Sequence, residues 1–371
     1  MAALAPRFYQ IASLETLTGC ALARAEIVAP GGSVADPPLR FGQTDLAAYT
    51  LDQQPSGVDW RTIPGGIPVG SAVRYTLDDA TVHGPEGVVT VGRYVVEPTL
   101  EHVWPPLARA WRDGALWLAH HQFTAARFTE AEHLLYGNCR NYYHWLLDGL
   151  GRWSVCPVAS YPCLLPWSGA PFQQAGLALV PGLPARALTL APGQAVEVGR
   201  LHWTASLTGA GTQFHPALRR LGDAMRSSAA ATDSSPALYV CRDDAHNRPL
   251  RNEAAVARLC ADRGFQIVRL AKLPVMDQVA LFAGARRIVA PHGAGLANLL
   301  FCRPGAALLE LHMDRYVNWC FRRLAATMKM RYGCVIGQAE PGEGPVHARA
   351  WSLGLDQLEA ALDDPGFGLD V

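Results

Sequence analysis

The sequence predicts an α/β protein of two domains. Three observations predict it. Beyond Leu238, short apolar runs alternate with amphipathic stretches, the rhythm of strand–helix repeats and hence of a parallel sheet. The run Ile288–Leu311 (IVAPHGAGLANLLFCRPGAALLEL) reads as a buried strand, a tight glycine turn, a short helix and a second buried strand. A chain of 371 residues is long enough for two hydrophobic cores.

Taken in order, residues 1–60 are irregular and Pro/Gly-rich. Val88–Val91 and Arg93–Val96 are β-rich, after a turn at His83–Gly87, and a helix is expected near Asn141–Trp153. Strand-like runs follow at Tyr161–Leu165, Ala187–Leu190 and Val196–Trp203, with a helix at Pro216–Met225. Ser227–Pro236 (SSAAATDSSP) is small, polar and unpatterned, and is the best linker candidate. Then come strand Leu238–Cys241, helix Asn252–Arg263 capped by Gly264, strand Phe265–Leu270, helix Met276–Gly284, strand Arg287–Ala290 and strand Ala306–Leu311. A last helix, Ser352–Asp363, carries Leu355, Leu358 and Leu362 on one face and stops before Pro365. The expected division is 1–230, 236–345 and a tail 346–371 packing back on the N-terminal domain.

Composition excludes several functions. The formal net charge is +0, so nucleic acid and anionic membranes have no global electrostatic claim on the chain. No run approaches the ~20 apolar residues of a membrane span, and no signal peptide is evident at the N-terminus. The nine cysteines form no C-x-x-C pair and read as reduced, buried thiols. Lys272 and Lys329 are the only lysines, so basic function falls to arginine. No P-loop, G-x-G-x-x-G, G-x-S-x-G, D-x-D or H-E-x-x-H pattern is present, so no carboxylate-held metal is expected.

Three clusters carry chemistry. In His292-Gly293-Ala294-Gly295, the glycines would permit positive φ and close backbone approach, and a helix N-terminus just beyond favours an anion. His292 would donate to a phosphate or close the strand, and the plainer reading of the turn is packing. Asn298 lies in the helix that follows, and Glu310 ends the next strand, where a carboxylate can accept from ribose hydroxyls. Arg242 and Arg248 follow the strand Leu238–Cys241 and would open on the same crevice, with the fork geometry that suits phosphate. Finally, Asn141, His144, Asp148 and Arg152 form one helical stripe with Trp145 beside it. His144 and Asp148, four apart, can pair, and a carboxylate-oriented histidine is a standard general base; an ordinary ion pair is the alternative.

These elements together resemble glycosyltransferase family 61. The resemblance rests on N-x-x-H-W-x-x-D at Asn141–Asp148, on the strand and arginine loop through N-E at Leu238–Glu253, and on H-G-A-G-L-x-N through P-G-A to the glutamate at His292–Glu310. It covers roughly residues 138–337. Asp243 and His246 stand where the family commonly has further arginines.

The resemblance implies a GT-B fold, two Rossmann-like domains facing across a cleft, with the donor in the C-terminal domain and the acceptor in the N-terminal one. It implies inverting transfer of a hexosyl or pentosyl group from a nucleotide sugar to a glycan or lipid-linked glycan, without a cofactor. Bacterial relatives act in capsular, exopolysaccharide or lipopolysaccharide assembly. A cytoplasmic protein at the inner face of the membrane is therefore expected. Donor contacts would be Arg242, Arg248, His292, Gly293, Ala294, Gly295, Asn298 and Glu310. The base would be His144 oriented by Asp148, or Asp148 itself, and Asn141, Trp145 and Arg152 would face the acceptor. A non-catalytic nucleotide-sugar or glycan-binding protein, or a nucleotide-sugar hydrolase or epimerase, is the alternative.

Overall fold

Six strands of the C-terminal half form one sheet in the order Gln266–Val268, Ala237–Val240, Arg287–Pro291, Ala307–Met313, Arg331–Ala339, Trp351–Ser352. The first five are parallel and the last is an antiparallel edge. The computed structural model describes residues 7–36, 39, 41–42, 66–85, 87–100, 111–112, 115–118, 123–134, 139–156, 161–165, 169–191, 194–211, 213–229, 237–242, 247–342 and 348–368. Asp243 and His246, and residues 230–236 of the expected linker, lie outside them.

The chain forms two compact units, Met1–Gly31 with Gly70–Leu207, and Gly32–Val69 with Thr208–Val371. The division therefore falls at Leu207/Thr208, ahead of the polar linker candidate, and an N-terminal segment joins the second unit. The reason for the second difference is visible in the core. Phe41 is wholly buried there, against Gly333, where any Cβ would stand 2.1 Å from its ring.

In the second unit the strand first in sequence, Ala237–Val240, pairs with the second on one side and the third, Arg287–Pro291, on the other. That reversal of order makes a crevice beyond the carboxyl ends of these two strands, where ligands of open α/β sheets bind. The strands read as continuous apolar runs because both faces are covered. The crossovers include the helices Glu253–Asp262 and Val275–Gly284, the 3₁₀ helix Ala294–Phe301 and the helix Cys320–Thr327. Gly264 follows the first at φ +79, the left-handed cap its position requires. The last helix, Leu355–Leu362, was expected on the N-terminal domain. It instead buries Leu358 and Leu362 in the core of the second unit, and Arg263 bonds Glu359 and Asp363.

The first unit departs from the Rossmann-like expectation. Its eleven-stranded sheet is mixed and centred on the long strands Phe123–His133, Gln194–Thr204 and Ala72–His83. Phe123–His133 and Gln194–Thr204 are parallel, but Gln194–Thr204 meets Ala72–His83 antiparallel, and Ala72–His83, Val88–Val91 and Tyr94–Val96 form an antiparallel meander. Only Gly92 and Arg93 separate the last two strands, too few for the dozen-residue crossover that parallel pairing needs. Leu77, Val82, Val89, Val198, Leu201 and Trp203 fill its core.

Eight cysteines are buried and Cys20 is exposed; all nine are free thiols. No helix among the described residues is long and apolar enough to cross a membrane.

Candidate active site

The glycine turn lies at the carboxyl end of Arg287–Pro291. The backbone N–H of His292 still donates to Leu311 O at 2.9 Å, extending the ladder one residue past the strand. Gly293 then departs in extended conformation, φ 176 and ψ 167, and neither it nor Gly295 is left-handed, contrary to expectation. What each glycine spares is volume. A Cβ at Gly293 would stand 2.6 Å from Arg242 Nε, and one at Gly295 would stand 2.8 Å from Leu270 Cδ1. Ala294 opens the 3₁₀ helix, half-buried with Gly295.

Arg242 leaves the end of the neighbouring strand Ala237–Val240 and its guanidinium donates to His292 O at 2.7 Å. Its position is set from behind. Glu253, buried at the start of its helix, accepts from the Arg242 backbone N–H at 2.6 Å and from Tyr239 Oη at 3.0 Å. Arg248 takes a left-handed backbone at φ 53 and lays its guanidinium 4.3 Å from the Tyr316 ring centre. Burial lowers its pKa, and its charge reaches His292. The structure thus brings Arg242, Arg248, His292 and Gly293 together. Asn252, just ahead of the helix Glu253–Asp262, bonds Leu353 through both its amide atoms and fixes the C-terminal segment.

Two predicted donor contacts are turned inward. Asn298 is wholly buried, donating to Gln278 Oε1 at 2.9 Å and Gly295 O at 3.0 Å, so it braces the turn. Glu310 is also wholly buried, with both oxygens engaged: His292 Nδ1 on Oε1 at 2.7 Å and Tyr332 Oη donating to Oε2 at 2.6 Å. His312 Nε2 stands 3.3 Å from Oε2. A ribose hydroxyl has no access to Glu310. Burial raises its pKa, but His312 and His292 outweigh burial and hold it at about 2. Burial pushes His292 down to about 4 against the pull of Glu310, so the pair is a neutral imidazole on a carboxylate.

His292, Glu310 and His312 offer ligand-type atoms within 4.8 Å of one another. Two ligands at ~2.1 Å on a tetrahedral metal stand roughly 3.4 Å apart. The 2.7 Å contact of His292 with Glu310 is a hydrogen bond, and a metal would have to break it.

In the first unit, Asn141–Val155 is not one α-helix. His144–Gly149 is a π-turn and Leu150–Val155 is 3₁₀. His144 and Asp148 still meet, Nδ1 to Oδ2 at 2.6 Å, with Asp148 buried and His144 part-exposed. Single π-turns inside helices occur often at functional sites. The wide turn followed by a tight one breaks the expected stripe. Asn141 is exposed and accepts from the Tyr143 N–H at 2.9 Å. Arg152 is buried with its guanidinium 5.1 Å from the Trp203 ring centre. Trp145 is wholly buried against Phe172 and Gly176. Both side chains, expected to face the acceptor, are thus buried.

Residues 142–309 match the family model described as Glycosyltransferase 61. Over that span the chain is similar to glycosyltransferase family 61. The family supports a glycosyltransferase activity. No curated protein matches the chain. The matched span takes in the His144–Asp148 pair, Arg242, Arg248 and the whole glycine turn.

Sequence reasoning missed His312, Tyr332 and Tyr316, and took Glu253 only as part of the motif ending Leu238–Glu253. His312 was within reach: two residues after Glu310 on a strand, it shares the same face. Tyr332 is the second residue of Arg331–Ala339, a strand whose Gly333 and Gly337 interrupt an otherwise β-rich run.

Proposed function

We propose that the chain is an inverting glycosyltransferase that moves a sugar from a nucleoside-diphosphate donor to a glycan hydroxyl, in bacterial cell-surface polysaccharide synthesis. The observation that carries it is the seat of Arg242, whose guanidinium fills the space a side chain at Gly293 would take and bonds the His292 carbonyl. A fixed cation is thereby held on a glycine turn at the switch point of a parallel sheet.

In this reading the second unit binds the donor through the Gly293–Gly295 backbone, Arg242 and Arg248. Those two guanidinium groups offset the charge that develops on the departing diphosphate, so the reading invokes no metal. The first unit supplies the base. Asp148 bonds His144 Nδ1 at 2.6 Å and orients the ring, and His144 takes the proton of the attacking hydroxyl. The protein would act in the cytoplasm at the inner face of the membrane, on a glycan or lipid-linked glycan.

A panel of nucleotide sugars, scored for diphosphate release with and without glycan acceptors, tests the reading. Acceptor-dependent release from at least one donor is expected. Release that ignores every acceptor would make the protein a hydrolase, and binding without release would make it a non-catalytic receptor.

A further inference from the structure

Glu310 has no exposed surface, and the one member of its cluster that keeps some is His292, whose side chain is a tenth exposed. Nδ1 of His292 bonds Glu310, so in the neutral ring Nδ1 carries the hydrogen and Nε2 is a bare lone pair. Nε2 makes no hydrogen bond to any described residue. His312 Nδ1 also lacks a partner but lies in a wholly buried side chain, so His292 Nε2 is the ring nitrogen of this cluster placed to meet a ligand. A bare lone pair beside a turn flanked by Arg242 and Arg248 is the wrong partner for a phosphate oxygen; an N–H is the right one.

The surroundings are poised between the two forms. From Ala307–Met313, Glu310 favours the charged ring and His312, with ring centres 5.5 Å apart, opposes it. From the segment after Ala237–Val240, Arg248 opposes it through its charge and Arg242 sits on the His292 carbonyl. Tyr316, and Phe321 from the helix that carries Cys320, Arg322 and Arg323, pack on the ring at 5.8 and 5.1 Å. Tyr332 and Cys334 lie behind Glu310. Burial decides the balance for the free protein, and the ring is neutral at pH 7. An anion at Nε2 adds attraction that opposes the repulsion of Arg248 and His312.

Resting on the donor-site reading above, we propose that a nucleoside diphosphate bound at this turn draws one proton from solvent onto Nε2 of His292. The new N–H donates to a phosphate oxygen, with Glu310 as the counter-charge behind the ring. No bond to phosphorus forms or breaks, and the proton returns to solvent when the anion leaves. Glu310 is then a positioning residue, and Tyr332 keeps its carboxylate turned toward His292.

Calorimetry of the full chain with UDP, GDP and pyrophosphate tests this. Titrations run at pH 7.5, above the phosphate's own second ionisation at ~6, in buffers of low and high ionisation enthalpy. Wild type should show buffer-dependent heats equivalent to as much as about one proton per bound anion, and an affinity that weakens by up to about tenfold per pH unit as pH rises. His292→Gln should bind more weakly, with heats independent of buffer and an affinity that no longer follows pH. Glu310→Gln should lower the uptake; if it fails to fold, the wild-type buffer series alone decides. Binding by wild type with buffer-independent heats overturns the proton linkage and leaves the donor site standing. If none of the three probes binds, the donor-site reading falls and the linkage with it.

Discussion

Arg242 occupies the volume that a side chain at Gly293 would need: an ideal Cβ there lies 2.6 Å from Nε and 2.9 Å from Cζ. Gly293 has φ 176, a conformation open to any residue, so a substitution strains no backbone and acts through the arginine. Gly293→Ala should therefore leave the thermal midpoint within a few degrees of wild type while weakening nucleoside-diphosphate binding about tenfold or more, the worth of one charge-assisted contact. Gly295→Ala meets only the flexible end of Leu270 and should bind nearly as wild type. Thermal-shift titrations of both variants check this; equal losses would detach Arg242 from the effect.

Acid should destabilise the second unit through two groups acting in one direction. Glu310 titrates at about 2 in the folded chain and His292 at about 4. In the unfolded chain they return to roughly 4.3 and 6.5. Both folded values lie below the unfolded ones, so the unfolded chain binds more protons and stability rises with pH through each window. The Glu310 contribution is complete above pH ~4.3 and lost toward pH 2. The neutral His292 costs nothing above pH ~6.5 and an increasing amount down to pH 4. Denaturant midpoints measured from about pH 7 to about pH 3 should fall for wild type, and His292→Gln should fall less steeply between about pH 6.5 and 4. Parallel curves would remove His292 from the acid response.

Why the second unit was legible and the first was not follows from spacing. Strands from Ala237 to Met313 are short apolar runs separated by helices with clear stops such as Gly264, so local pattern and fold agree. The same regularity placed Arg242, Arg248 and His292 at neighbouring strand ends. Glu310 was placed on the right strand with the wrong surroundings, because its partners His312 and Tyr332 come from a face relation and from a later strand. Arg322 and Arg323 are both buried against Asp36, nearly three hundred residues away. No local signal predicts that. In the first unit the 100° step of an α-helix predicted a stripe that the π-turn at His144–Gly149 breaks.

Trp145 should prove a stability residue, with its cost set by Gly176. A Cβ at Gly176 would stand 2.3 Å from Trp145 Cη2, inside a wholly buried contact. Gly176→Ala should destabilise by about 1–3 kcal/mol, the usual cost of overpacking, partly offset by the better helix propensity of alanine. Trp145→Ala should cost about 3–5 kcal/mol through the cavity it leaves. Urea unfolding followed by tryptophan fluorescence measures both. A Trp145→Ala protein of near wild-type stability with altered acceptor affinity would restore the acceptor role that its burial argues against.

The His144–Asp148 pair separates a base from a mere ion pair by how two substitutions divide turnover and binding. As a base, His144 supplies proton transfer worth about a hundredfold to ten-thousandfold, so His144→Ala should lower kcat by that order. Asp148→Asn keeps shape but replaces an acceptor with an amide, which can present N–H to Nδ1 and favour the tautomer that blocks Nε2. Its kcat should fall nearly as far as that of His144→Ala, and the double variant should be little worse than either, since the two act as a unit. Donor binding belongs to the other unit in this reading, so the donor Kd should stay near wild type in all three. Steady-state kinetics with the best donor–acceptor pair, alongside calorimetric donor affinity, gives both quantities. If the pair is only structural, both variants lose thermal stability and keep kcat. Loss of kcat in Asp148→Asn alone would instead make the aspartate the base and His144 its partner.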